Sequence, residues 1–563
     1  MQSVSGKYWE ESKINKRIFE KIKSENNFPD LINKLILLRN FTKEEIYSIN
    51  HNLNLINPFI NIKDFNDCYD TLRKIIKKKE KILIIGDYDV DGIVSTSLFI
   101  KFLNLLNYPY DFYIPDRLKD GYGVSFKLIK KLIIKQPKLV VMVDCGSNSK
   151  EAIDFLNLNK IESIIIDHHE IHKPYPKTQN LINPKKKCHY NNFNYFCSAS
   201  LTFFFIDFFL KKEKIKSNFD QNLIYVLLAT LCDVMPLRFY NRLIAKKVLH
   251  DFKFGTNYFF KRLYEILKIN RPLNIEDLQF LVGPIINSSG RIGNPNKAVN
   301  ILISKNFSYI DKLLNDLISL NEKRKKIEEN ILKDLDFSKI VNINKNVIVI
   351  TLNLVNEGLI GIIASKIKEY FNKPTLVFTQ SGNFLKGSAR STENFNLGQV
   401  IKNGIDQGFI IQGGGHNLAA GLIIEKKKID KLEEFMNLSY SKVIKEVNIK
   451  NYMSKISLSG LNQTFYNNLS LMEPFGPGNQ NPIFLIEDVI VVKFSIIKSK
   501  FINCVLKSKN GKSINAISFN LINSKISKYL MNYKKEIKIL AQIKQNIWNN
   551  KRKLQLNILD VII

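Results

Sequence analysis

Between about residues 60 and 250, short aliphatic runs alternate with stretches of amphipathic, helix-like periodicity. The runs "KILIIGD", "KLVVMVD" and "ESIIIDHHE" are nearly continuous in apolar residues and short enough to be buried strands. Strands that alternate with helices are typical of a parallel sheet in which helices form the crossovers. The pattern therefore predicts an α/β fold for this part of the chain.

A second α/β unit is predicted further along the chain. The charged periodic stretch "DKLLNDLISLNEKRKKIEENILKDL" predicts a long connecting helix over about 310–335. After it, the strand candidates "NVIVITL" and "PTLVFT" predict a unit over about 345–440 with two glycine-bearing loops, "KGSARST" and "IQGGGHNLAAG". Residues 1 to about 50 are predicted to form an irregular, partly helical extension.

The last hundred or so residues predict a small β-barrel. Short alternating stretches surround Asn510-Gly511, a dipeptide typical of hairpin turns. The most hydrophobic stretch of the chain, "FCSASLTFFFIDFFLKK", is too short to span a bilayer and carries Asp207, so we interpret it as a buried helix. We expect no membrane association.

Composition narrows the class of protein only partly. With 563 residues, of which 45% are hydrophobic and 24% charged, the chain can form several packed domains. The net charge of +32 favours a polyanionic partner such as nucleic acid, but a general bias toward lysine produces the same charge. The six cysteines form no CxxC pair and the first residues carry no apolar signal core, so we expect a cytoplasmic protein with reduced thiols.

Acidic residues end all three predicted strands of the first unit. Asp87, Asp144 and Asp167 follow the aliphatic runs directly, and the carboxyl ends of parallel strands meet at one edge of a sheet. Further candidates stand nearby in the chain: Asp89, Asp91, His168, His169 and Asp233. Clustered carboxylates repel one another unless a cation lies between them, and this mixture of carboxylates and imidazoles suits Mn²⁺ or Mg²⁺.

These motifs resemble those of the DHH phosphoesterase superfamily, and within it the RecJ family of exonucleases. The resemblance rests on "DYDVDG", "VDCG", "DHHE" and "LCDVMPL". It continues in the same order through "IPDRLKDGYGV", "LINPK", "VGPIINSSGRIG", "EGLIGIIASKI", "KGSARS", "GGGHNLAAG" and "EPFGPGNQNPIF". It implies five regions: an N-terminal extension (1–55), a DHH catalytic domain (56–255), a helical connector (256–340), a DHH-associated substrate-binding domain (341–445) and a nucleic-acid-binding OB barrel (446–563).

The resemblance also implies roles for particular residues. Two divalent ions, Mn²⁺ or Mg²⁺, are expected on Asp87, Asp89, Asp144, His168 and Asp233, with Asp144 as the bridge. His169 is expected beside the scissile phosphate and Asp167 behind the imidazoles, while Asp91 is either a supporting acceptor or a catalytic residue. Substrate contacts are expected from the following residues: Arg117, Arg291, Ser388, Arg390, Gly413, Gly414, Gly415 and His416.

The implied activity is exonucleolytic degradation of single-stranded DNA from its 5′ end to 5′-mononucleotides, in recombination and repair. A helicase and a single-strand-binding protein are the implied partners, and a monomer is expected. Two alternatives stay open: a related phosphodiesterase acting on short oligoribonucleotides or cyclic dinucleotides, and a binding scaffold without catalysis. Three residues depart from the family pattern, namely Val355, Asn356 and Ala389, and none belongs to the expected metal site.

Overall fold

The computed structural model describes residues 1–562 except 52, 118–119, 122, 187–189, 191–192, 336–344, 354, 443–448, 498–500, 521–523, 532–535 and 549–550. The predicted domain boundaries at residues 340 and 445 lie outside the described residues, and the division into five regions stays a prediction. Among the described residues, no helix combines the length and the apolar character needed to cross a bilayer.

The elements are numbered in chain order. The strands are β1 (Tyr8–Glu11), β2 (Ile82–Ile85), β3 (Tyr110–Tyr113), β4 (Leu139–Val143), β5 (Glu162–Ile166), β6 (Leu181–Ile182), β7 (Ile348–Leu352), β8 (Thr375–Ser381), β9 (Phe384–Arg390), β10 (Gln412–Gly415), β11 (Ala419–Glu425), β12 (Ile449–Tyr452), β13 (Ser454–Lys455), β14 (Ile483–Ile497), β15 (Phe501–Ser508), β16 (Ser513–Ser518), β17 (Glu536–Trp548) and β18 (Lys551–Ile562). The α-helices are α1 (Lys16–Glu25), α2 (Asp30–Leu38), α3 (Lys43–Asn50), α4 (Lys63–Lys77), α5 (Val90–Leu105), α6 (Phe126–Leu132), α7 (Lys150–Leu158), α8 (Ser198–Lys212), α9 (Leu223–Cys232), α10 (Phe239–Asp251), α11 (Tyr258–Ile266), α12 (Ile275–Asp277), α13 (Gly283–Ile292), α14 (Asn296–Ile303), α15 (Phe307–Asp334), α16 (Glu357–Phe371), α17 (Leu397–Asp406), α18 (Ile429–Ser441), α19 (Gln463–Ser470) and α20 (Lys525–Leu530). A π-helical turn, Leu278–Val282, joins α12 to α13.

The first lobe, whose core residues run from Phe59 to Leu317, is built on a parallel five-stranded sheet with the order β3-β2-β4-β5-β6. Alternate residues of each strand point to opposite faces, so Ile82 and Ile84 join one core, while Leu83 and Ile85 join another. Helices cover both faces, which explains why the strands are apolar throughout. The predicted buried helix is α8, and it packs against α5 in the larger core.

The second lobe also contains a five-stranded sheet, with the order β10-β11-β9-β8-β7. Only β7 and β8 are parallel; the other pairs are antiparallel. The two glycine-bearing segments predicted as loops are instead strands. The stretch "KGSAR" forms the end of β9, and "QGGG" forms β10, an edge strand paired with β11. The long helix α15 leads toward this lobe, as predicted.

A closed barrel follows, in which β14, β15, β16, β18 and β17 pair in succession and β17 returns to β14. The hairpin predicted around Asn510-Gly511 joins β15 to β16, and Gly511 has a φ of 81°. The barrel and the parallel sheet of the first lobe confirm the predicted fold class.

Residues 1–50 are partly helical, as predicted, but they are neither irregular nor separate. Strand β1 pairs in parallel with β12, and Trp9 Nε1 donates a 3.1 Å hydrogen bond to Asp560 Oδ2 on β18. Ile32 and Leu35 of α2 belong to the same core as the barrel residue Phe484. The N-terminal segment therefore packs against the closed barrel and shares its core.

Candidate metal centre and phosphate site

Four acidic side chains of the first lobe converge beyond the ends of β2, β4 and α9. Asp87 follows β2, Asp89 caps the start of α5, Asp144 follows β4, and Asp233 caps the end of α9. Oxygens of Asp87, Asp89 and Asp144 lie within 4.8 Å of one another. The sheet therefore brings together side chains that are far apart in the sequence.

Local backbone structure determines the direction of these carboxylates. Asp89 Oδ1 accepts from the N–H groups of Asp91 and Gly92 at 3.0 and 3.2 Å, an N-cap that fixes the start of α5. A side chain at Gly92 would place its Cβ 2.5 Å from the backbone of Asp87, so only glycine allows this close approach. Asp144 has a φ of 61°, a left-handed conformation that aspartate tolerates better than most residues.

Two histidines follow β5 and have different surroundings. His168 Nε2 lies 3.3 Å from Asp233 Oδ2, 3.5 Å from Asp144 Oδ1 and 3.7 Å from Asp91 Oδ2. His169 Nδ1 lies 2.8 Å from Asp167 Oδ1 and 3.8 Å from Asp144 Oδ1. Asp167 therefore fixes the ring of His169 directly, whereas it contacts His168 through the backbone N–H at 2.7 Å.

Burial makes the carboxylate charges costly. Burial, followed by the charge of Asp89, raises the pKa of Asp87 to about 7 and that of Asp91 to about 6. Burial, followed by the charge of Asp91, raises the pKa of Asp233 to about 8 and that of Asp144 well above its usual range. Because these carboxylates lie close together, the negative charge on each one raises the pKa of the others.

The imidazoles differ in the same electrostatic field. Burial, followed by the charge of His169, lowers the pKa of His168 to about 3, which leaves the ring in the neutral form that ligates metals. Burial also acts to lower the pKa of His169, but the hydrogen bond and charge of Asp167 outweigh it and raise the pKa to about 9. The same hydrogen bond holds the pKa of Asp167 well below its usual range, although burial opposes this.

These residues fit a pair of divalent cations. The contacts of His168 Nε2 with the three carboxylates are too long for strong hydrogen bonds, and its Nδ1 is buried with no hydrogen-bond partner among the described residues. Asp91, His168 and Asp233 form one group of potential ligands, and Asp87, Asp89 and Asp144 form another. Carboxylate oxygens with one imidazole form a donor set suited to Mn²⁺ or Mg²⁺.

Asp91 has a second set of contacts. Its two oxygens accept 2.8 Å hydrogen bonds from the N–H groups of Ser198 and Ala199 at the start of α8. Ser198 Oγ in turn donates to Asp144 Oδ1 at 2.9 Å. Asp91 therefore holds the start of α8 next to the acidic cluster, while its Oδ2 lies 3.7 Å from His168 Nε2.

Arginines from three parts of the chain lie near the acidic cluster: the charge of Arg117 acts on Asp87, that of Asp89 acts on Arg291, and that of Arg117 acts on Arg390. Arg291 of α13 donates to the carbonyl oxygen of Gly358 in the second lobe at 3.1 Å. Arg390 of β9 donates to Ser388 Oγ at 3.1 Å and to its neighbouring carbonyl oxygen at 2.8 Å. Arg117, after β3, lies over the ring of Tyr88 at 5.4 Å. Burial, followed by the charge of Arg117, lowers the pKa of Arg291 to about 10 and also lowers that of Arg390.

The predicted glycine-rich contact residues lie on the edge of the second lobe. Gly414, Gly415 and His416 are exposed, and β10 has no neighbouring strand on its outer side among the described residues. Because every second N–H group of an edge strand points away from its partner, this edge offers donors without side chains in the way. Burial, followed by the charge of Lys185, lowers the pKa of His416.

Several supporting residues were missed by the sequence analysis. Asn183 Nδ2 donates to Ser147 Oγ at 2.7 Å and to the His169 carbonyl oxygen at 3.0 Å, while Ser147 N–H donates to Asp167. A Cβ at Gly361 would lie 2.9 Å from Arg390 Nη2 and 3.0 Å from Ser388 Oγ. Both Asn183 and Gly361 stand inside the quoted motifs, which is the only signal that the sequence offers for them.

Of the departures from the family pattern, only Asn356 has a side-chain role that the structure explains. Asn356 caps α16, where its Oδ1 accepts from the N–H of Gly358 at 2.8 Å. The carbonyl oxygen of Val355 accepts from Thr379 Oγ1 at 2.7 Å. Ala389 is buried in the sheet, and its carbonyl oxygen receives Arg390. These residues support the arginine side of the site.

Three family models match successive parts of the chain. They are the DHH family, N-terminal domain, over residues 81–231, the DHHA1 domain over residues 344–445, and the RecJ OB domain over residues 454–560. The chain belongs to the RecJ branch of the DHH family. This membership confirms the resemblance on which the predicted site residues depend.

Curated relatives from this branch match most of the chain. The single-stranded-DNA-specific exonuclease RecJ of Bacillus subtilis (strain 168) is 25% identical over 575 residues, covering 99% of this chain and 71% of that protein. RecJ of Haemophilus influenzae is 27% identical, covering 85% of this chain and 87% of that protein.

Solved structures of RecJ share the fold. The crystal structure of Thermus thermophilus RecJ in complex with Mn²⁺ matches with a TM-score of 0.84 and 19% identity, covering 99% of this chain and 79% of that one. The Mg²⁺ complex matches with a TM-score of 0.75 and 18% identity, covering 98% and 78%. RecJ proteins are thus known with either of the two ions that the donor set of this chain suits.

Proposed function

We propose that this chain is a metal-dependent exonuclease that degrades single-stranded DNA from the 5′ end and releases 5′-mononucleotides. The observation that carries the proposal is that two groups of side chains with opposite charge lie near each other. They are called the acidic wall and the arginine wall below. The acidic wall consists of the carboxylates and the neutral His168 on the first lobe, and the arginine wall consists of the half-buried Arg117, Arg291 and Arg390, which form no salt bridge among the described residues and lie near the carboxylates. The proposed cleft lies between these two walls. A polyanion such as nucleic acid would bind to the arginines directly and to the carboxylates through divalent cations.

The residues of the acidic wall have distinct roles in this proposal. Asp87, Asp89, Asp144, His168 and Asp233 would hold two divalent cations. Asp144 would be the shared ligand, since its Oδ1 lies 3.5 Å from His168 Nε2 and one of its oxygens lies within 4.8 Å of oxygens of Asp87 and Asp89. A pair of such cations polarises a phosphodiester, activates a water molecule and neutralises charge on the departing oxygen. Asp167 orients the ring of His169 through their 2.8 Å hydrogen bond, and His169 contacts the scissile phosphate.

The arginine wall determines polarity. A terminal phosphate carries more charge than an internal one, and the planar guanidinium of arginine is suited to bind it through paired hydrogen bonds. Arg390 with Ser388, together with Arg117 and Arg291, binds the 5′-terminal phosphate. The exposed edge Gly413-Gly414-Gly415-His416 contacts the backbone of the same strand.

The cellular setting is part of the proposal. The activity removes single strands during recombination and repair, and it requires a helicase and a single-strand-binding protein to present those strands. The barrel contributes a basic surface that binds the strand beyond the cleft. We infer a cytoplasmic monomer.

The test uses a single-stranded oligonucleotide with a 5′ phosphate and a 3′ label, incubated with Mn²⁺ or with EDTA. Progressive shortening of the labelled strand with Mn²⁺, and none with EDTA or on a blunt duplex, is the expected result. An RNA strand of the same sequence and a cyclic dinucleotide serve as competing substrates. Faster cleavage of either would favour the related phosphodiesterase, and binding without cleavage in every condition would favour the scaffold.

A further inference from the structure

One large apolar side chain near the acidic wall is exposed. Phe280 stands in the π-helical turn Leu278–Val282, and 70% of its surface is accessible, whereas Leu278 and Val282 on either side are buried. A segment that buries its other apolar residues would ordinarily bury a phenylalanine as well. π-helical turns inside helices occur frequently at functional sites.

Helix α13, which continues from the π-helical turn, carries two residues of the site. Asn287 and Arg291 are four residues apart and lie on one face of this helix. Asn287 Oδ1 accepts from the N–H of Val90 at 3.1 Å, within the turn that carries Asp89 and Asp91. Arg291 belongs to the arginine wall. The helix that follows the π-helical turn of Phe280 therefore runs beside the turn of Asp89 and Asp91 and reaches the arginine wall near its end.

The same segment is pressed against the Asp233 end of the cluster. A Cβ at Gly283 would lie 2.3 Å from Sγ of Cys232, the residue immediately before Asp233. Val234, immediately after Asp233, is also exposed, at 61%, although a β-branched residue rarely adopts its φ of 56°. Phe280 and Val234 are thus two exposed apolar side chains in segments that contact each other beside Asp233. Arg291 lies about 16 Å away along the helix axis.

The segments that carry Phe280 and Val234 also contact the barrel. Glu276, one helical turn before Phe280, forms an ion pair with Lys544 of β17. The N–H of Leu237, in the loop that begins at Asp233, donates to the carbonyl oxygen of Pro477 at 2.6 Å. A bound nucleic-acid strand that ran from the acidic cluster to the barrel would pass these two contacts.

We propose that Phe280 is a base-stacking residue for a nucleotide of the bound single strand, on the 3′ side of the scissile bond. The proposal rests on the function proposed above. An aromatic ring stacks on any base, which suits an enzyme that degrades a strand without reading its sequence. The exposed ring is then explained by its ligand, and the cleft has a phosphate-binding end and a base-binding end.

The test measures strand affinity by fluorescence anisotropy in EDTA, with a 5′-phosphorylated oligonucleotide labelled at its 3′ end. Phe280→Ala is expected to weaken binding roughly tenfold, the usual cost of losing one stacked base. Phe280→Trp keeps a ring and is expected to restore binding. Leu158→Ala is the matched control, since Leu158 is 82% exposed at the end of α7 and belongs to neither wall.

An abasic scan adds a readout that loss of structure would not produce. One abasic nucleotide is moved along the strand, and the wild-type protein is expected to lose affinity when it reaches the stacked position. Phe280→Ala should show no loss at that position, because the partner ring is already gone. Equal sensitivity of the two proteins at every position would overturn the proposal.

The two proposals fail in different ways. If the wild-type protein neither binds nor cleaves any single strand, the proposed function is wrong. If it binds and cleaves while Phe280→Ala matches it in affinity and in the abasic scan, only the stacking role is wrong.

Discussion

The acidic wall and the arginine wall both contain charged side chains that are buried or half-buried, but they are assembled differently. The acidic wall comes from the first lobe, where Asp87, Asp144 and Asp233 follow rigid strands or a helix and are almost fully or largely buried. The arginine wall is formed by a loop, a helix and a strand of two lobes, and its guanidinium groups donate to carbonyl and hydroxyl oxygens.

This difference separates the two binding tasks. In the proposed function, the preformed carboxylates hold the cations at fixed positions, and bound cations relieve the mutual repulsion of the carboxylates. The arginine wall combines Arg117 and Arg291 of the first lobe with Arg390 of the second, so in the proposed function it binds a terminal phosphate only where the two lobes meet. Substitutions in each wall should therefore damage different steps.

The largest expected effect is that of Asp144→Asn. Asparagine keeps the shape of the side chain and tolerates the left-handed backbone at this position, so the fold should persist. Loss of the shared carboxylate is expected to lower kcat by about 10³-fold or more, comparable to removing a principal electrostatic group from an active site. Rates of 3′-labelled strand shortening measure this, and calorimetric titration with Mn²⁺ should show that the number of bound ions falls.

Stability without metal supplies the control for that variant. In EDTA, Asp144→Asn is expected to unfold about 2–4 °C above the wild type, because one of several repelling buried groups is gone. Mn²⁺ should raise the unfolding temperature of the wild type more than that of the variant. Wild-type rates in Asp144→Asn would remove Asp144 from the metal site.

Arg390→Lys tests the other wall. Lysine keeps the charge but lacks the planar fork, and Gly361 leaves space shaped for the guanidinium. The preference for a 5′-phosphorylated strand over a 5′-hydroxyl strand is expected to fall about 10–100-fold, the equivalent of one charged hydrogen bond. Competition between the two strands measures it.

Arg262→Lys is the matched control for this substitution. Arg262 forms ion pairs with Asp311 and Glu265 outside the cleft, so its replacement should leave the phosphate preference intact. If Arg390→Lys keeps the full preference while cleaving the strand, the terminal phosphate is recognised elsewhere.

Gly478→Ala addresses the junction that holds the Asp233 loop against the barrel. Gly478 has a φ of 70°, and a Cβ there would lie 2.8 Å from the Cβ of Pro236. We expect the variant to lose about 2 kcal/mol of stability in urea unfolding, from backbone strain plus the clash. Gly511→Ala has the same backbone strain in open space, so it should lose only about 1 kcal/mol. Equal losses would show that the contact with Pro236 adjusts without cost.

Sequence patterns predicted the architecture well because it depends on local periodicity. Continuous aliphatic runs followed by aspartate identified β2, β4 and β5 and the edge where the carboxylates meet. The glycine segments were predicted as loops because glycine weakens strands, yet β9 and β10 form where sheet pairing outweighs that preference. The strand propensity of a segment carries no information about which strand lies beside it in the fold.

The candidate site was predictable only as far as its motifs extend. The resemblance named every residue of both walls, but it could not show that Asp167 bonds to one imidazole and not the other. The attachment of residues 1–50 to the barrel depends on a pairing between β1 and β12, which are separated by most of the chain. Long-range contacts of this kind leave no periodic signal.

Lys101, a first-lobe lysine that forms no salt bridge among the described residues, provides the smallest test of how this lobe tolerates a partly buried charge. Lys101 Nζ lies 4.2 Å from the centroid of the Tyr225 ring and donates to Asn222 Oδ1 at 3.1 Å. Burial lowers the pKa of Lys101 to about 7, whereas an unfolded lysine titrates near pH 10.4. Between these values the unfolded chain holds the extra proton, so the contribution of Lys101 to stability improves as the pH rises and is least favourable below about pH 7.

Lys101→Met should therefore stabilise the protein most at neutral pH. Because the side chain is only partly buried, we expect about 1 kcal/mol at pH 6.5, shrinking as the pH approaches 10. Urea unfolding of both proteins at pH 6.5, 8 and 9.5 in EDTA measures the difference. An advantage that stayed constant across this range would mean that methionine gains by packing alone. A loss of stability at pH 6.5 would mean that the contacts with Tyr225 and Asn222 outweigh the cost of burying the charge, so that this lobe supports a lone cation better than it supports its clustered carboxylates.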